Sequence, residues 1–90
     1  MRYSHQVLPK ARKQLRSIPA KIRQRLKEAV LSLEDDPRPS GVTKLSGKKN
    51  RYRIRIGKYR IVYRILDDTR EILVTDITTR SDAFRMFSFL

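Results

Sequence analysis

Ninety residues carry 22 Lys or Arg against 9 Asp or Glu, for a formal net charge of +13. That length fits one small domain, 1–90, with a modest core; the lack of cysteine excludes disulfides and thiolate metal sites, and no stretch reaches the roughly 18–20 apolar residues that span a bilayer. The charge favours a polyanionic partner, whether nucleic acid, an anionic surface or an acidic protein; without a secretory apolar run at the N-terminus, the expected location is the cytoplasm, with no membrane partner.

Arg2 to Val7 reads as a short first strand with Tyr3, His5 and Val7 on one side, ended by Leu8-Pro9. Leu8, Ala11, Leu15 and Ile18 then recur at helical spacing. Ser17 and Pro19 separate this helix from a second one, with Ser17 or Ile18 near the second N-cap. In the second helix Ile22, Leu26, Ala29, Val30 and Leu33 form a single apolar face. The pair makes a helical hairpin whose apolar stripe suits a sheet. Asp35 to Gly41, with two prolines, is a loop. Lys44 to Asn50 is a basic lead into the next strand, either a short edge strand or a loop.

The stretch from Arg51 to Ile65 organises the rest. It alternates bulky apolar and cationic residues at period two on both sides of Gly57-Lys58. A two-residue turn opening with Gly closes a tight hairpin. With that turn, Ile56 faces Tyr59, Arg55 faces Arg60, Ile54 faces Ile61, Arg53 faces Val62, Tyr52 faces Tyr63 and Arg51 faces Arg64. Cross-strand partners share a side. One side therefore carries Tyr52, Ile54, Ile56, Tyr59, Ile61 and Tyr63 as core. The other carries Arg51, Arg53, Arg55, Arg60 and Arg64 around Val62. From Lys44 to Leu66 there are nine Lys or Arg and no Asp or Glu. Like charges facing each other across a ladder cost stability, so folding alone gives no reason for this face, whereas a bound polyanion does. Lys44, Lys48 and Lys49 beside it are expected to contact phosphates without sequence preference.

Asp67 to Arg70 reads as a turn and Ile72 to Thr78 as a last strand. Ile72-Leu73-Val74 is apolar on both sides, so the faces taken by Leu73 and Ile77 depend on whether the strand is bulged. The tail from Thr79 to Leu90 holds Arg80, Phe84 and Arg85. The pieces assemble into an α+β fold, two N-terminal helices packed on one face of a small antiparallel sheet. His5 is the only histidine and the acids are scattered, so no metal site is expected.

The order of elements, the "DPRPSG" loop, "KLSG", the "YRIRIGKYRIVYRI" hairpin, "ILVTDI" and an arginine-bearing tail together resemble the RelE/ParE superfamily of toxins from bacterial toxin–antitoxin pairs, over nearly the whole chain. The dense basic face is more similar to the RelE branch. That resemblance implies a ribosome-dependent endoribonuclease that cuts mRNA in the ribosomal A site, without metal or cofactor, through attack by the substrate's own 2′-hydroxyl. Carried over residue by residue, it implies catalytic roles for Arg53, Arg55, Arg60, Arg80 and Phe84. Arg60 and Arg80 would hold the scissile phosphate, Arg53 and Arg55 would position the backbone, and Phe84 would stack on a base. The chain departs from the family in placing Phe84 where a tyrosine is expected; Phe stacks but donates no hydroxyl proton. Arg51 and Arg64 extend the RNA-binding face. The resemblance also implies a cognate acidic antitoxin, a toxin–antitoxin hetero-oligomer, and the ribosome with its mRNA as target. The ParE branch implies poisoning of DNA gyrase instead, and a catalytically weak nucleic-acid-binding homologue is the third reading.

Overall fold

The computed structural model describes residues 2–45, 47 and 49–79. Chain order runs β1 (Ser4–Val7), α1 (Pro9–Arg16), α2 (Ala20–Leu33), β2 (Thr43–Lys44), β3 (Arg51–Ile56), β4 (Tyr59–Leu66) and β5 (Glu71–Thr79). The strands form one five-stranded sheet in the order β1-β5-β4-β3-β2. Among the described residues no helix is long and apolar enough to cross a membrane.

Both helices start where proline permits. Pro9 opens α1, where its missing N–H costs nothing. Ser17 closes that helix, its backbone N–H and its Oγ both bonding the Gln14 carbonyl, the latter at 2.8 Å. The second N-cap is Pro19 rather than Ser17 or Ile18; Ser17 is already spent on the first helix. Ala11, Ile18, Leu26, Val30 and Leu33 form the helical side of the core. They pack with Tyr52, Ile61, Tyr63, Ile65, Ile72, Val74 and Ile77 from the sheet.

Strands β2 to β5 run antiparallel in sequence order. The hairpin has the register read from the sequence, from Arg51 opposite Arg64 to Ile56 opposite Tyr59. Gly57 has φ +60, the left-handed conformation its turn requires. The sheet as a whole is mixed, which corrects the expected all-antiparallel arrangement. β1 joins the far edge parallel to β5, pairing Ser4 with Glu71 through Val7 with Val74. Most of the chain separates the two strands, so no tight turn imposes an antiparallel sense. Where β1 stops, α1 continues the edge. The Leu8 N–H donates to the Val74 carbonyl, and the Ile77 N–H donates to Gln14 Oε1 at 2.8 Å.

A bulge settles the faces of β5. Val62 pairs with Asp76 but Tyr63 with Val74, so Thr75 is an extra residue on that strand. Its Oγ1 donates to the Val62 carbonyl at 3.3 Å. The bulge lets Ile72, Val74 and Ile77 all face the helices, and it sends Leu73, Asp76 and Thr78 to the other side.

The end of the molecule away from the hairpin tip is laced by acids. Arg38 pairs with Asp67 at 3.0 Å, donates to the Tyr52 hydroxyl at 3.1 Å and lies over the Tyr52 ring. The Tyr3 hydroxyl donates to Asp67 at 2.6 Å, and the Tyr63 hydroxyl to the Pro37 carbonyl at 2.8 Å. Tyr52 and Tyr63 stack at 6.0 Å. The hydrogen bond from Arg38, then that from Tyr3, holds the Asp67 carboxyl below its ordinary range. His5 Nδ1, 2.7 Å from Glu34, does the same for that carboxyl, with Arg2 adding to it. A depressed native carboxyl contributes stability above the unfolded value, near pH 4, and loses it as pH falls through the native value. Melting temperature should therefore hold from neutral pH to about 5 and fall below about 4. Asp67→Asn with Glu34→Gln should flatten that acid limb; thermal melts across pH check it, and an equally steep limb in the double variant would contradict it.

Candidate RNA-contacting face

The helices cover one side of the sheet, and the arginines of the hairpin stand on the other. Alternation places them there: Tyr52 and Ile54 pack on the core, so Arg51, Arg53 and Arg55 point away. The same holds on β4, where Ile61, Tyr63 and Ile65 are core and Arg60, Val62 and Arg64 alternate with them. Rows of partners then cross the face. Thr43, Arg53, Val62 and Asp76 make one row. Arg55, Arg60 and Thr78 make the next, and Arg51, Arg64 and Leu73 flank the first on its other side.

Exposure grades along these rows. Arg55 is exposed, and Arg51, Arg53 and Arg64 are half-buried. Arg60 is only 7% exposed and is a fixed element of the face. Arg55 Nε donates to the Gly57 carbonyl at 3.3 Å, which draws its side chain toward the hairpin tip. Guanidinium groups set in this way suit phosphate oxygens, because they stay charged and donate in a planar fork. They are poor proton acceptors.

By register two acids of β5 share the face, Glu71 opposite Leu66 and Asp76 opposite Val62. Asp76 is 7% exposed and meets Lys10 of α1 at 3.0 Å. Thr78, opposite Arg60, is also buried. Sequence reading missed both as site residues. The available signal was Asp76, a charged residue inside a strand, and the bulge at Thr75 hid its side.

The other expected contacts divide. Lys44 pairs with Tyr52 and so belongs to the helix-bearing side, across the sheet from Arg53. Lys49 is exposed in the turn before β3, next to Asn50 with φ +60. Lys48, Arg80 and Phe84 lie outside the described residues. Among the described residues no three His, Cys, Asp or Glu side chains cluster to hold a metal ion.

Comparison with known proteins fits this geometry. Residues 6–84 match the family described as the ParE toxin of the type II toxin–antitoxin system, parDE. The RelE1 protein of Methanocaldococcus jannaschii is 30% identical over 88 residues, covering 94% of this chain and 98% of that protein. The archaeal RelE–RelB complex from Pyrococcus horikoshii OT3 contains a chain 29% identical, with a TM-score of 0.80 over 89% of this chain and 97% of that one. A mutant of the E. coli toxin RelE in the free state is 26% identical, with a TM-score of 0.81 over 98% and 93% of the two chains.

Proposed function

The chain belongs to the RelE/ParE superfamily, as a toxin of a type II toxin–antitoxin pair, and on that premise we propose that it is a ribosome-dependent endoribonuclease that cuts mRNA in the A site. The arginine face carries this reading, above all Arg55 set directly against Arg60. A fold that needed only to be stable would not oppose two cations in one row.

The chemistry follows from what guanidinium groups do well. The substrate's 2′-hydroxyl loses its proton to water and attacks the adjacent phosphorus, the bond to the 5′-oxygen breaks, and that oxygen takes up a proton from water, leaving a 2′,3′-cyclic phosphate and a free 5′-hydroxyl. Arg60, buried and fixed, stabilises the charge that builds on the phosphate oxygens, and fixed donors act without reorganising. Arg80 joins it at the scissile phosphate in this proposal. Arg53 and Arg55 align the strand, Arg51, Arg64, Lys48 and Lys49 hold flanking phosphates, and Phe84 stacks on a base. The ribosome supplies much of the substrate's orientation.

The proposed partner in the resting state is an acidic antitoxin, bound in a hetero-oligomer. A domain of +13 attracts such a chain, and the Pyrococcus relative is described as a RelE–RelB complex. The proposed location is the cytoplasm.

Expression of the toxin without antitoxin tests the choice of target. Truncated transcripts with unchanged DNA supercoiling are expected. Intact transcripts with inhibited gyrase would overturn the nuclease reading in favour of the activity suggested by the ParE name. Salt dependence gives a second check. Lys49→Ala should reduce the slope of log affinity for RNA against log salt by about 0.7–0.9 if that lysine contacts one phosphate; an unchanged slope removes Lys49 from the interface.

A further inference from the structure

Buried polar side-chain atoms almost always find partners, and leaving one without costs the desolvation of that group. Among the described residues three such atoms lack a hydrogen-bond partner: Arg51 Nε, Asp76 Oδ1 and Thr78 Oγ1. All three belong to the arginine face by register. Asp76 Oδ1 does lie 3.0 Å from Lys10 Nζ, but as a contact of opposite charges without the alignment of a hydrogen bond. Two of the three are two residues apart on β5, on the same side, and Thr78 stands opposite Arg60.

We propose that Asp76 and Thr78 form a subsite for the ribose of bound RNA, in which the carboxylate accepts a hydrogen bond from a 2′-hydroxyl beside the phosphates taken by the arginines. The inference rests on the RNA reading above and adds a residue pair to it. Charge narrows the ligand. A carboxylate repels phosphate, so the group it receives is a neutral donor. Position narrows it further. Adjacent strands lie about 5 Å apart, so a donor at Asp76 or Thr78 is close to the phosphate at Arg60. The part of a nucleotide bonded to its phosphate is the sugar, not the base. Lys10 of α1, 3.0 Å away, anchors the carboxylate. The Thr78 hydroxyl, able to donate and accept, completes the contact. Such a subsite distinguishes RNA from DNA, because only the 2′-hydroxyl differs.

Binding of a fluorescent single-stranded ribo-oligonucleotide and its all-2′-deoxy counterpart, with the same bases and at one salt concentration, tests the proposal. The wild type should prefer the ribo form by about tenfold, as expected for a hydrogen bond to a charged group. The 2′-fluoro form, which lacks the donor, should bind like the deoxy form. Asp76→Asn and Thr78→Val should each bring the ratio close to one. Arg55→Ala should weaken both oligonucleotides and leave the ratio unchanged. Equal wild-type affinity for the three forms, or variants that keep the wild-type ratio, would overturn the subsite. If a variant fails to fold, the 2′-fluoro comparison on the wild-type protein decides alone. Cleavage of mRNA on ribosomes is read separately: cutting with a ratio of one sinks the subsite and spares the nuclease, whereas a tenfold ratio without cutting does the reverse.

Discussion

Arg55→Glu should make the protein more stable and much less active. Arg55 is exposed and faces Arg60 across the hairpin. Replacing a like-charge pair by an opposite one on a sheet is worth up to about 1 kcal/mol. For a domain of this size that raises the melting temperature by about 4–8 °C. Cleavage should fall by about a hundred-fold, the order of loss when the aligned geometry of the reacting strand is disturbed, with repulsion of phosphate added to it. The opposed signs are the informative part. A residue placed for stability would lose stability when reversed. Charge reversal at Arg60 is a poorer probe, because that side chain is 7% exposed and a glutamate there disturbs the fold as well as the chemistry. Arg60→Gln is the better variant at that position. Thermal melts and single-turnover cleavage of programmed ribosomes check both. A destabilised Arg55→Glu that still cuts at the wild-type rate would contradict the account.

Deletion of Leu73 should disrupt the fold, whereas deletion of its neighbour Thr75 should leave it intact. Thr75 is the extra residue in β5 between the partners of Val62 and Tyr63. Without it, Val74 and Asp76 are consecutive opposite Tyr63 and Val62, so the ladder becomes regular and every face is kept. Without Leu73, no register keeps Ile72, Val74 and Ile77 together on the core side: with the bulge kept Ile72 turns out and Glu71 turns in, and with the bulge closed Val74 turns out and Thr75 turns in. Each of these three apolar residues is buried against the helices, and expelling one costs about 2–5 kcal/mol, a large share of the roughly 5–10 kcal/mol that stabilises a small domain. The Leu73 deletion should therefore melt far below the wild type, if cooperatively at all. Thr75→Ala, which keeps the bulge and loses one hydrogen bond to the Val62 carbonyl, should lower stability by about 1 kcal/mol only. A Leu73 deletion that melts near the wild-type temperature, or a Thr75 deletion that does not fold, would show that β5 is not held in this register.

These two predictions also mark what was legible in the chain. The register of β3 and β4 could be read because every bulky residue from Tyr52 to Tyr63 other than Val62 falls on one side, and Gly57 fixes the turn. The helices were legible from their apolar stripes. Local pattern says nothing about which distant edge a strand joins, and so the parallel pairing of β1 with β5 was not accessible. The bulge was hidden for a different reason. Ile72-Leu73-Val74 is apolar throughout, so alternation gives no face until a partner strand is present. Asp76 and Thr78 stayed invisible as members of the arginine face for that same reason. Lys44, expected to contact phosphate, pairs with Tyr52 and so stands on the helix-bearing side; nearness in sequence to the arginines does not fix a shared face. Asp67 was read as turn chemistry alone, and its bonds to Arg38 and Tyr3 join segments that no short-range pattern connects.

Ribosome-dependent cutting is the central claim. Primer extension on a reporter mRNA in a purified bacterial translation system, with wild-type protein and Arg80→Ala, and with and without ribosomes, tests it most directly. The account predicts discrete new 5′ ends that require both the ribosomes and the arginine. Intact mRNA in the presence of folded protein and translating ribosomes would contradict it.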